Sequence, residues 1–490
     1  MYNVKMTGPR KSDLKTLISR IFIVYLIALT VLYSALSVVR HNHFQSGGFD
    51  LGLYDQSVWQ YSRLLWPYNT IKQRFILGDH LSLTLPLIAP LYRIWDDVRM
   101  LLIFQAFFVT FSAYPVYLLG LKKKLSHPVA IAVAVAYSLF YGIQYLIFFD
   151  FHPVAIGVGL IPWILYFLES GRHKAALVCI ILLVLSVENM GLALAGIGCL
   201  YLFRKDTVKK ALIFICGGIL ASLLASRVTA FFSPVGYEYL PQVVLNPLVM
   251  LSRFLDNPEK RQVWLFTVTS FGGLAIFSPG AMLAVLIDLA QYFLTGPVFS
   301  RMWSPFMHHR AILAPFLAYG AIDAAVFLSK KRIPFGITGG YLIVAMLFTQ
   351  YFFHFPLNKL AKSEYWKEEA WMNDLRQLVL SVPANASVAA QQNLVPHLSH
   401  RREIYLVYPR MHSFENQPCG RTACWWLDFG GKPDFLTIDT RPNQWLTQTL
   451  ESDENWRAAV TIMERTGFII PESSFGDARL YQIIYSQMPI

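Results

Sequence analysis

Charge is scarce in this chain. Asp, Glu, Lys and Arg make up 15% of its 490 residues, against 55% hydrophobic residues. That balance, with a mean hydropathy of +0.43, is wrong for a soluble protein and right for a polytopic membrane protein. Cysteine is nearly absent, with five residues. Cys179, Cys199 and Cys216 lie in apolar segments and read as small core residues, and no Cys/His spacing of the metal-binding kind occurs. Internal repeats and low-complexity tracts are missing too. So is a small-residue cleavage site after the first apolar run, which is therefore expected to be a retained span. The net charge of +12 does not point to nucleic acid, because the basic residues cluster beside apolar spans, as topogenic charges do.

What is abundant is aromatic and aliphatic: 36 Phe, 25 Tyr and 12 Trp fit packing along lipid and at its interfaces. Lys5, Arg10, Lys11, Lys15 and Arg20 place the N-terminus in the cytoplasm, and residues 21–39 cross outward. Residues 40–98 form a large external loop. Its apolar piece 81–95, broken by Pro86 and Pro90, suits an interfacial helix, since a crossing there would put Lys122-Lys123-Lys124 outside. Residues 99–120, 128–147, 153–169, 175–188, 190–203, 211–231, 263–278, 280–296, 311–329 and 334–355 continue the alternation. A longer external segment, about 232–262, carries Tyr237-Glu238-Tyr239 and the breakers Pro241, Pro247 and Pro258. The expected fold class is mainly α, a polytopic membrane protein of about eleven spans. A membrane module (1–356) is followed by a small extracytoplasmic α/β domain (357–490). In that domain residues 364–381 read as an amphipathic helix with Trp366, Trp371, Leu375 and Leu378 on one side, and residues 387–390 and 435–439 as buried strands. Cys419 and Cys424 fall in it, where a local disulfide is an open alternative.

Acids and histidines gather on the outer face: Asp50, Asp55, Asp79, His80, Asp150, His152, Glu188, His308 and His309. Ionisable groups beside lipid are costly and call for a function. An enzyme taking an anionic, lipid-borne substrate would use carboxylates for base or metal work, and cations such as Arg40, Lys72, Arg74, Arg301 and Arg310 for phosphate. Each has a plainer reading. Asp50 follows Gly47-Gly48 and could be an N-cap; Asp55 could be a helix-surface carboxylate; Asp79-His80 could face water. Asp150 and His152 could cap a helix turn, Glu188 could sit in a buried ion pair, and His308-His309-Arg310 could anchor headgroups. His397 reads as structural.

The blocks SGGFDLGLYDQSVW, LGDHLSLTLPLIAPLY, FDFHPVAIGVGLIPW, SVEN, SPFMHHRAILAPFLAYGA and SVAAQQNLVPHLSHRREIYLVYP resemble, in order, a family of predicted polytopic membrane proteins of unknown function. One departure is Val187-Glu188-Asn189, where the family pattern is Lys-Glu-Asp; only the acid is kept, which weakens a paired site there. In layout the family is similar to the GT-C superfamily of polyprenyl-phosphate-sugar glycosyltransferases. That resemblance implies an acidic catalytic residue in the first external loop, here Asp50, and a second acid between the third and fourth spans, here Asp150.

The expectation is therefore a glycosyltransferase of the prokaryotic inner membrane and cell envelope. It would move sugar from a polyprenyl phosphate to an unidentified acceptor on the outer face. Asp50 is expected to be the general base, helped by Asp150. Asp55, Asp79, His80, His152 and Glu188 are expected to bind substrate, and His308, His309 and Arg310 the leaving phosphate. A divalent metal is a candidate cofactor, with Asp50, Asp79, His80 and Asp150 as candidate ligands. The alternatives are a transporter or flippase of a lipid-linked or anionic substrate, and a non-catalytic envelope-assembly protein.

Overall fold

The computed structural model describes residues 11–239 and 246–489; Lys5, Arg10 and Pro241 lie outside them. The described chain is mainly helical. Five helices are long and apolar enough to cross a membrane: Thr16–Asn42, Arg99–Lys122, Lys205–Phe232, His308–Lys330 and Phe335–Phe353. The pair His127–Ser138 and Tyr141–Phe148, bent by 43°, brings the count among the described residues to six if it is taken as one broken span. Val154–Glu169, His173–Val184, Met190–Leu202 and Pro279–Phe293 are apolar but shorter.

One of these, Met190–Leu202, is stable at its short length because it is enclosed. The helix is hydrophobic all round and buried along nearly its whole length. It packs by small residues, as helices in lipid do. A Cβ on Gly191 would come within 2.2 Å of the Gly218 carbonyl, and one on Gly280 within 2.6 Å of the Cys199 carbonyl. Residues 263–278, expected as one crossing, are instead two pieces. The helix Pro258–Thr269 begins with charged residues, and Gly272 and Gly273, both at positive φ, end the helical path before the turn Leu274–Phe277.

Residues 40–98, expected as the first external loop, fold into a run of short elements. Gly48–Gly52 form one π-helical turn that runs into the helix Leu53–Ser62. A two-residue hairpin, Tyr68–Asn69 with Arg74–Phe75, follows. The piece around Pro86 and Pro90 is a four-residue helix, Leu85–Ile88, joined to a 3-10 turn, Ala89–Arg93, too short to cross. Leu87 and Ile94 stay exposed on it, as suits an interface with lipid.

In the C-terminal region the amphipathic helix is Ala370–Ser381, burying Met372, Leu375 and Leu378. Trp366 lies outside it, on the separate turn Ser363–Trp366, and is exposed, because the chain is extended at Lys367 and Glu369. A five-stranded sheet has the order Ile404–Leu406, Val388–Ala390, Phe435–Asp439, Ala478–Ile483, Ile469–Phe475. Its first three strands are parallel and its last two antiparallel. Beside it the hairpin Tyr408–Ser413 with Ala423–Asp428 carries a disulfide, Cys419–Cys424.

This region is locked onto the first external loop. Gln392 Oε1 accepts from the N–H of Gly48 (2.8 Å) and of Phe49 (3.3 Å). Thr70 Oγ1 donates to the Ile404 carbonyl (2.6 Å). Val395 presses on the π turn, where glycine alone leaves room: a Cβ on Gly52 would meet Val395 Cγ1 at 2.7 Å. Gly52→Ala should therefore lower stability by about 1–3 kcal/mol. Adding Val395→Ala should recover part of the loss, as read by thermal melting in detergent.

Candidate active site

Asp50 sits on the π turn, and its carboxylate does not cap a helix. Oδ1 lies 3.0 Å from His152 Nε2. The other ring nitrogen, Nδ1, is 3.1 Å from the Asp150 carbonyl. A carbonyl only accepts, so Nδ1 carries a proton, and Nε2 and Oδ1 share the second one. About a third of the Asp50 side chain remains exposed (33%), whereas His152 is buried (6%). The carboxylate is thus the accessible member of the pair. Burial pushes the Asp50 carboxyl up, but the His152 hydrogen bond and the His152, Arg40 and Lys72 charges outweigh it and hold it below its ordinary value.

Behind this pair stands a buried frame. Asp150 is fully enclosed; Oδ1 receives Arg40 Nη1 at 2.7 Å and Oδ2 receives the Gly47 N–H at 2.8 Å. Arg40 also donates to the Phe149 carbonyl. Burial raises the Asp150 carboxyl, opposed by Arg40 and reinforced by Asp50. Gln105 completes the frame. Its side chain donates to the carbonyls of Leu146 and Asp150, both at 3.0 Å, and accepts from the His152 N–H at 3.0 Å.

On the other side of His152 the ring of His308 stacks at 3.6 Å, and His309 follows at 3.9 Å. Nδ1 of each is buried without a hydrogen-bond partner. Arg310, expected beside them, turns inward. It is fully buried, donates to the carbonyls of Met302 and Ser304, and lies over Tyr292.

Asp79, His80 and Glu188 form a second cluster. His80 Nδ1 is 2.8 Å from Glu188 Oε1 and Nε2 is 4.0 Å from Asp79 Oδ2. Burial alone would lower the His80 imidazole, but Glu188 and Asp79 outweigh it and push it up to about 9. Burial is the largest influence on Glu188 and raises it, but the His80 charge and hydrogen bond together with backbone N–H groups, that of Leu81 among them, outweigh it and hold it below its ordinary value. Lys72 links the clusters: Nζ is 3.4 Å from Asp79 Oδ1 and 5.1 Å from the centre of the Phe49 ring.

Asp55 joins neither cluster. It is fully buried, and its oxygens are held by Tyr92, Ser399 and His400. His397 stacks between His41 and Phe44, at 4.1 Å from each. Among the cations weighed for phosphate, Arg40 is spent on Asp150 and Arg74 on Glu238, while Arg301 is exposed and Lys72 half-buried. Among the described residues no group of three or more His, Cys, Asp or Glu side chains is gathered to hold a metal ion. Of the four candidate ligands, Asp50 pairs with His152, Asp150 with Arg40, Asp79 with Lys72 and His80 with Glu188. Sequence reasoning passed over Gln105 and Gln392; a lone amide inside the apolar run of residues 101–111 was the available signal for the first.

A family model described as "Predicted membrane protein (DUF2079)" matches residues 40–453, and the chain belongs to that family. No curated protein matches it. Among solved structures, the crystal structure of ArnT from Cupriavidus metallidurans bound to undecaprenyl phosphate is similar to it, with 10% sequence identity and a TM-score of 0.48. That match covers 96% of this chain and 99% of the other.

The His80–Glu188 pair has a defined pH window. Its His80 share of stability is complete below the ordinary histidine value and is lost as pH rises through about 9. Its Glu188 share is complete above the ordinary glutamate value and is lost as pH falls through the depressed one. His80→Gln should cost about 1–3 kcal/mol at pH 7, less than a fully buried pair because the ring is partly exposed. The gap to wild type should close as melts are run from pH 7 to 10.

Proposed function

We propose that this family member transfers a glycosyl group from a polyprenyl-phosphate-linked sugar to an acceptor hydroxyl at the outer face of the prokaryotic inner membrane. The observation that carries the reading is the half-exposed Asp50 carboxylate, held by His152 and flanked by the stacked ring of His308. A carboxylate in reach of substrate, with an imidazole to fix its geometry and share its proton, is what general-base activation of a hydroxyl needs. The acceptor oxygen attacks the anomeric carbon and its proton passes to Asp50. The bond from that carbon to the phosphate oxygen breaks, and the polyprenyl phosphate departs with the electron pair. The spare nitrogens of His308 and His309 and the ammonium of Lys72 supply hydrogen bonds and charge for that phosphate. Asp150, enclosed by Arg40 and Gly47, acts by positioning His152 rather than by touching substrate. No step is routed through a metal.

On this reading the chain crosses the membrane several times, the N-terminus is cytoplasmic and residues 357–490 are an extracytoplasmic domain. The Cys419–Cys424 disulfide supports that side, because disulfides persist in oxidising compartments.

Asp50→Asn should cut transfer by at least about a hundredfold while leaving the thermal midpoint near that of wild type. The measurement is a comparison of lipid-linked sugars and envelope glycans in cells carrying either form. Equal profiles from equally abundant protein would overturn the proposal.

A further inference from the structure

A cavity of 360 Å³ opens between the outer end of the first span, the segment Asp96–Arg99 and the C-terminal region. Asp50, His152 and His308 are not among its walls. The charged groups that line it are Asp96, Asp97, Arg99, Arg376 and His400, and each already has its counter-charge. Asp96 pairs with Arg63 and lies 3.1 Å from His400 Nδ1. The other nitrogen of His400 lies 3.1 Å from Asp55. Asp97 accepts from Arg99 Nε at 2.7 Å, and Arg376 bonds Glu368 at 2.7 Å.

A phosphate, a carboxylate or a cation entering this cleft would find no unspent opposite charge, and desolvating an unpaired ion is costly. A neutral ligand meets no such barrier. The remaining wall is mixed. Phe44, Val98, Val379 and Pro396 offer apolar patches, while the paired ions keep free lone pairs and N–H groups along their edges. His41 and His397 also line the cleft, and Nδ1 of the first and Nε2 of the second have no hydrogen-bond partner. Apolar patches alternating with neutral-in-sum hydrogen-bonding groups match a sugar ring, with its C–H faces and ring of hydroxyls. The volume falls in the range of small-molecule sites.

We propose that this cleft binds a neutral, hydroxyl-rich sugar; calling it a unit of the acceptor, set away from the hydroxyl that reacts at Asp50, rests on the transferase reading above. The loop 395–400 gives the site its connection to the chemistry. Its Val395 presses on Gly48 and Gly52 of the π turn, and its Ser399 and His400 hold Asp55 on the helix that continues from Asp50. A sugar in the cleft therefore lies against the same loop that braces the base.

The test uses the full chain in lipid nanodiscs and saturation-transfer NMR with three probes: methyl glucoside, methyl galactoside and N-acetylglucosamine. At least one probe should give a signal in wild type and an equal one in Asp50→Asn. Val379→Trp, which fills the cleft, should reduce that signal about tenfold or more. Arg376→Gln, at a half-exposed position whose partner Glu368 is exposed, should weaken the probe's apparent affinity about threefold. If Val379→Trp does not fold, Arg376→Gln decides. No signal from any probe, a signal unchanged in the folded cleft variants, or displacement of the probe by inorganic phosphate would overturn the proposal. Unimpaired transfer by Asp50→Asn would sink the transferase reading and leave the sugar site standing.

Discussion

The ion pair between Arg40 and Asp150 is the contact on which the surroundings of Asp50 are assembled. Both side chains are almost completely buried, so neither is stable without the other. Arg40 ends the first span, and Asp150 sits in the turn between the bent helix pair and Val154–Glu169. Their pairing fixes the distance between those two places. With the Gly47 N–H on the remaining carboxylate oxygen, it also fixes where the π turn starts. Asp50 and His152 are then each two or three residues from an anchored point, and their 3.0 Å approach follows. Within this frame Arg40, Asp150 and His152 are buried, and the Asp50 carboxylate stays partly exposed.

Charge elsewhere is handled in the same way, by local cancellation. Several helices meet in a half-buried knot where Glu169 receives Lys123 at 3.1 Å and Arg204 at 2.9 Å. Asp323 lies 3.4 Å from the same arginine. The cluster around Asp50 differs in leaving capacity unspent: the carboxylate is partly exposed, and the two histidine rings beside it keep unbonded nitrogens. That contrast is what marks the Asp50 cluster as the candidate site and the Glu169 knot as structural.

Much of the helical frame was legible in the amino-acid sequence, because hydropathy and flanking charge are local signals. The gathering of acids and histidines at span ends was legible for the same reason. Their pairings were not, since they depend on which distant segments meet. Asp50 and Asp55 stand one turn apart along the chain, yet the π turn shifts the register, and Asp55 ends up sealed against Ser399 and His400. Arg310 carries a charge suited to phosphate, but its neighbours Met302 and Ser304 present carbonyls that draw it inward. The split of residues 364–381 into two helices turned on backbone geometry at Lys367 and Glu369 that no apolar periodicity encodes.

The bond from Gln392 to the Gly48 N–H spans 344 residues of chain. The π turn and the amide that secures it are therefore made at well-separated times, and the turn is fully braced only once the later segment has folded against it. A change in the C-terminal region can thus reach Asp50 through a single amide, with no residue near Asp50 altered.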